Sequence, residues 1–239
     1  MSKLILTRHG QSVWNAENRF TGWVDVGLSK QGILEAKKSG MLIKKLNINI
    51  DVSYTSFLKR AIKTLSIILR ENNLDLKLNT SWEINERHYG SLTGLNKDET
   101  KKKIGEEQFK KYRRSWDVSP PPMPSDNKNQ ILFSPLNDGI PKDLIPATES
   151  LKDTYNRVIP FFESKIKSSL QNNKNIIIAA HGNSLRALCK KLFNISDLKI
   201  NELEIPTGNP LVIEFDQSLE IKDIKYLDKS REKPIITNQ

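Results

Sequence analysis

Cysteine is almost missing from this chain of 239 residues, in which Cys189 stands alone. An intramolecular disulfide is therefore impossible, and no Cys-based metal site can be assembled. Histidine is nearly as scarce. Its three copies show neither HExxH spacing nor a companion carboxylate cluster, so no metal is expected. Long apolar runs are missing too. Nothing approaches the roughly 20 residues that span a bilayer, and Leu4-Ile5-Leu6 is too short for a signal-peptide core. The GxxxxGK(S/T) loop and the GxGxxG fingerprint are both absent, which removes the usual backbone cradles for nucleotides. A cytoplasmic protein without a membrane partner is the expectation.

What is present is ordinary in bulk. Hydrophobic residues make up 37% and charged residues 28%, as in a soluble globular protein. The length suits one domain over residues 1–239. A formal net charge of +10 favours anionic partners by long-range steering. Its lysines fall in pairs such as Lys37-Lys38 and Lys110-Lys111, spaced as wet helix faces and not interleaved with aromatics. That pattern speaks against a nucleic-acid groove. Charge alone leaves the function open.

Hydrophobic spacing predicts alternating elements. Residues 3–7 read as a buried strand, and a helix follows with Ser29 as N-cap, running to 46. A strand at 51–55, a helix at 57–69 and a weak strand at 74–78 come next. Residues 97–116 read as helix, interrupted near Gly105. The prolines between 120 and 146 forbid regular structure over most of 118–147. A loop of that length is usually functional or mobile. Thr148 then reads as the N-cap of a helix reaching 170. A strand at 175–180, a helix at 183–193 and strands at 211–215 and 221–226 complete the chain. The alternation predicts an α/β fold, a three-layer α/β/α sandwich with a mostly parallel central sheet.

Two stretches echo each other: Thr7-Arg8-His9-Gly10-Gln11-Ser12 and Ala179-Ala180-His181-Gly182-Asn183-Ser184. Each is a strand ending in His-Gly before a helical segment, which puts an imidazole at the carboxyl edge of a sheet. Ligands of open α/β sheets bind at that edge. Arg8, Ser12 and Asn15 surround His9 with a guanidinium, a hydroxyl and an amide, a poor apolar core but a good pocket for an oxyanion. A helix N-terminus adds free N–H groups for a phosphate. A neutral imidazole can attack phosphorus and hold the phosphoryl group covalently. Arg60 sits at a helix start, where a cation opposes the helix dipole unless an anion intervenes. On residue chemistry alone, Arg60 suits a surface position equally, and Glu86 suits an ion pair with Arg87, Arg113 or Arg114.

Arg8-His9-Gly10 with the distant His181-Gly182 resembles the signature of the histidine phosphatase superfamily. Longer strings narrow the resemblance to its bisphosphoglycerate-dependent phosphoglycerate mutase family. They are Arg8-His9-Gly10-Gln11-Ser12-Val13-Trp14-Asn15, Phe20-Thr21-Gly22-Trp23, Asn85-Glu86-Arg87-His88-Tyr89-Gly90 and Gly94-Leu95-Asn96-Lys97. Tyr112-Arg113-Arg114-Ser115, Ala180-His181-Gly182-Asn183-Ser184-Leu185-Arg186 and Ile205-Pro206-Thr207-Gly208 complete the set. The match covers about 3–226.

The resemblance implies a phosphoglycerate mutase-like fold and assigns roles. His9 would be the phosphorylated nucleophile, His181 would stabilise the transferring phosphoryl group, and Glu86 would be the general acid and base. Arg8 and Arg60 would grip that phosphoryl group. Lys97, Arg113 and Arg114 would bind the far phosphate and carboxylate. Ser12, Asn15, Thr21, Gly22, Tyr89, Gly182 and Asn183 would complete the substrate pocket, and His88 would be structural. The implied reaction interconverts 3- and 2-phosphoglycerate, primed by 2,3-bisphosphoglycerate without a metal, in a homodimer or homotetramer. A phosphatase acting on a small phosphomonoester with the same residues is the alternative. Two lids are expected to be candidates, the 118–147 loop and the 228–239 tail. That tail departs from the Ala/Gly-rich tails of the family, and 137–144 lacks its Asp-Pro-Arg-Tyr-like stretch.

Overall fold

Successive side chains of a strand point to opposite faces, so an apolar strand must be covered on both. In the computed structural model, which describes residues 1–127, 129 and 139–237, β1 (Ser2–Arg8) is such a strand. Leu4 and Leu6 face one layer of helices and Ile5 the other. The sheet has six strands, in the order β3 (Leu78–Thr80), β2 (Val52–Thr55), β4 (Ile176–Ala180), β1, β5 (Leu211–Phe215), β6 (Ile221–Tyr226). The first four run parallel; β5 runs antiparallel to β1 and to β6, so β6 points the same way as the first four. Buried throughout, β4 reads Ile-Ile-Ile-Ala-Ala, as a strand covered on both faces requires.

Eight helices flank the sheet among the described residues. They are α1 (Val13–Ala16), α2 (Lys30–Lys44), α3 (Lys59–Glu71), α4 (Lys97–Ile104), α5 (Glu106–Arg114), α6 (Leu151–Phe161), α7 (Lys167–Gln171) and α8 (Gly182–Leu192). Ile43 of α2 and Leu65 and Ile68 of α3 pack on Ile5, Ile177 and Val212. On the opposite face Leu151 and Val158 of α6 and Leu185 and Leu188 of α8 pack on Leu4, Leu6 and Ile178. The three layers are those the alternation predicts. No described helix is long and apolar enough to cross a membrane.

Local departures have local causes. The strand expected at 74–78 forms instead at Leu78–Thr80, because β2 pairs there. Leu74 and Leu76 are spent packing beneath α2 and α3 after the turn at Asn73, whose φ is 54°. The helix expected to start at Thr148 is capped by Ser150, whose hydroxyl accepts the Asp153 N–H in a capping box. Thr148 donates its hydroxyl to Pro120 O instead, at 2.7 Å. That helix also carries Pro160 and passes through a π turn at Phe162–Ile166. After His9 the helix is a single turn, α1, and not the long helix that follows His181.

Both lid candidates are anchored where they are described. Met123 N–H bonds Ala147 O, and Met123 and Ile140 pack beside Trp23. The rest of that loop, 128 and 130–138, lies outside the described residues, as do 238–239. In the tail, Arg231 donates to Thr207 O, Gly208 O and Asp228, and Ile235 and Ile236 pack on the α8 side of the sheet.

Candidate active site

The parallel pairing of β1 with β4 puts Arg8 opposite Ala180, so the next residues, His9 and His181, emerge together at the carboxyl edge. Their rings meet edge to face with centroids 5.0 Å apart. Close approach of the chain holds this corner shut. A Cβ on Gly10 would lie 2.1 Å from Gly32 O, so only glycine lets the start of α2 press against the His9 loop.

His9 is oriented by its own backbone. Nδ1 donates to Gly10 O at 2.7 Å, which leaves the Nε2 lone pair free to accept. Arg60 Nε donates to that Nε2 at 3.3 Å. The other Arg60 nitrogens bond Val24 O and Gly22 O, and Gly22 turns at φ 53° to present its carbonyl. Burial, with the charges of Arg60 and Arg8, holds the His9 imidazole well below its ordinary pKa. It is therefore neutral, the form that attacks phosphorus. His181 is likewise held low, by burial and then by Arg60 and His9. Its Nε2 is hydrogen-bonded to Ser56 Oγ at 2.7 Å.

Glu86 faces the histidines from the segment after β3. Its Oε1 accepts three bonds, from Arg87 N at 2.8 Å, Asn183 Nδ2 at 3.0 Å and Asn183 N at 3.1 Å. None of the described residues donates to Oε2. One carboxylate oxygen is thus anchored and the other left to the cavity, as an acid/base group requires. The backbone carbonyl of Glu86 is fixed by the Trp23 indole and by Arg157, which also forms a buried ion pair with Glu149.

The cavity continues outward over cations. Arg8, Asn15, Thr21, Gly22, Tyr89, Lys97 and Arg113 line the part next to His9 and Arg60. Arg114, Gly182 and Asn183 line the adjoining part, again with Arg8, Glu86 and Arg113. Ser12 and His181 are the exceptions among the expected residues and line neither part. The Ser12 hydroxyl is buried as the N-cap of α1 and accepts the Asn15 N–H at 3.1 Å, and the His181 ring is fully buried against His9. Arg19, Phe20, Arg186, Glu204 and Ile205 also line the site although the sequence did not single them out for it. Burial pulls Lys97, Arg114 and Arg186 below their ordinary values, Arg186 to about 9. Crowded cations that depress one another favour an anionic ligand. His88 stands apart, accepting the Gly90 N–H at 3.0 Å. No described residue of the 118–147 loop or of the tail lines this cavity.

A larger groove of about 600 Å³ lies outside α5, but its lysines 101, 110 and 111 are already paired with Glu106 and Glu107. The chemistry belongs to the smaller cavity.

The family model of the histidine phosphatase superfamily, branch 1, matches residues 4–131 and 126–222. The chain belongs to that superfamily. Two relatives are named 2,3-bisphosphoglycerate-dependent phosphoglycerate mutase. That of Pelagibacter ubique is 53% identical over 239 residues, covering 99% of each chain. That of Maricaulis maris is 48% identical and covers 98% of each. Among solved histidine phosphatase folds, a mycobacterial glucosyl-3-phosphoglycerate phosphatase superposes with a TM-score of 0.71 at 18% identity, covering 94% of this chain and 96% of that one. At that identity the likeness is one of fold alone.

Proposed function

We propose that this chain interconverts 3-phosphoglycerate and 2-phosphoglycerate through a phosphohistidine at His9. The observation that carries the reading is the pairing of a neutral His9 with cations at both ends of one cavity: Arg8 and Arg60 beside it, Lys97, Arg113 and Arg114 beyond. Relatives at 48–53% identity bear the mutase name. A phosphatase needs no grip on the far end of its substrate, so the far cations favour the mutase.

A substrate hydroxyl attacks the phosphorus held on His9, the P–N bond breaks, and Glu86 Oε2 takes the hydroxyl proton. The His9 Nε2 lone pair then attacks the other phosphate. That P–O bond breaks, and Glu86 returns its proton to the leaving oxygen. Arg8, Arg60 and His181 face the phosphoryl oxygens as charge develops. The cavity's residues fit 2,3-bisphosphoglycerate, which has an anion for each cationic end and, when bound, supplies the phosphoryl group that charges His9.

A coupled mutase assay in the presence of a chelator, with and without 2,3-bisphosphoglycerate, tests this reading. Activity that depends on the bisphosphate and ignores the chelator is expected. Chelator-sensitive or primer-independent turnover contradicts it.

A further inference from the structure

Among the described residues, Arg186 is the one buried cation lining the cavity that has no part in the reaction above. It lies one turn along α8 from Asn183, on the same face. Its Nη1 donates to Asn183 Oδ1 at 3.0 Å, and its Nη2 donates to Ile200 O at 2.6 Å. The Asn183 amide is thereby committed. With Oδ1 turned to the guanidinium, Nδ2 must face Glu86 Oε1 and Tyr89 Oη, each at 3.0 Å. The flipped amide would set Oδ1 against a carboxylate oxygen and an NH2 group against a guanidinium, and both contacts repel.

We propose that Arg186 is a positioning residue for catalysis: it locks the Asn183 amide in the orientation that anchors Glu86 Oε1 and frees Oε2 for proton transfer. A buried guanidinium is costly to keep where an apolar side chain would fill the same space. Without Arg186, Asn183 Oδ1 loses its donor and the amide is oriented by Glu86 and Tyr89 alone, so its bond to Oε1 loosens and the carboxylate is held less firmly toward the cavity. Arg186 acts through Asn183, so removing either should cost the same thing. The inference rests on Glu86 being the acid/base group.

A double-mutant cycle tests it. R186M, N183A and R186M/N183A are assayed as mutases, with melting curves for each and with E86Q alongside. R186M should lose about 10-fold or more in kcat, the scale of a lost hydrogen bond to a charged group, with KM nearly unchanged. The double variant should be no worse than N183A, and R186K should recover part of the loss. If R186M lacks a cooperative melt, R186K with R186K/N183A carries the same cycle. Losses that multiply in the double variant, or a raised KM at unchanged kcat, overturn the proposal. If E86Q retains full turnover, the acid/base assignment itself fails. A crippled E86Q with multiplying losses sinks the positioning role alone.

Discussion

Arg60 Nε donates to His9 Nε2 at 3.3 Å while the carbonyls of Gly22 and Val24 hold its two terminal nitrogens. The guanidinium cannot swing away, because both terminal nitrogens are tied to backbone. Burial first, and then this charge, keep His9 neutral, so one contact both helps prepare the nucleophile and presents a cation to whatever binds there.

Removing that cation should therefore act on the chemical step. Arg60→Ala is expected to lower kcat by ~10²-fold or more, the scale of a lost preorganised donor, with the fold retained by circular dichroism. Steady-state kinetics check this, and a change confined to KM would contradict it.

Glu86→Gln keeps the anchoring bonds to Oε1 sterically possible but cannot move a proton. Turnover should fall by ~10²-fold or more. Near-normal turnover would return Glu86 to a structural role.

The far cations distinguish mutase from phosphatase. Arg113→Ala combined with Arg114→Ala should loosen the substrate's distal end and admit water to the phosphohistidine. The ratio of phosphate release to mutase product should rise. An unchanged ratio argues against a clamp at that end.

Acid should unfold this protein through its histidines. His9, His88 and His181 are all buried and held below the ordinary value, His88 at about 4, chiefly by burial. The unfolded chain then binds protons first, so stability is full above about pH 6.5 and is lost as pH falls towards 4. His88 alone accounts for roughly 3 kcal/mol of this. Melting temperatures across that window should fall, and fall less steeply in His88→Asn, whose Oδ1 can still accept the Gly90 N–H. Equal slopes would refute the assignment to His88.

Much of this is legible in the sequence. The His-Gly echo, read as two strand ends, places both imidazoles at one edge because β1 and β4 are parallel neighbours with Arg8 opposite Ala180. Ser29 as N-cap and the break at Gly105 follow from local chemistry, and both hold. Ser12 misled because the same Ser-x-x-Asn spacing that suits an oxyanion pocket also makes a capping box. Arg186 and Glu204 were illegible for a different reason. A charged residue in a helix or loop normally reads as solvated, and only the tertiary packing of α8 against 199–205 buries Arg186 and brings the exposed Glu204 to the rim of the cavity.

The most direct test is the covalent step. The protein incubated with 2,3-bisphosphoglycerate carrying radioactive phosphate should acquire an acid-labile label on His9, and His9→Ala should acquire none. Acid-labile label persisting in His9→Ala would contradict the account.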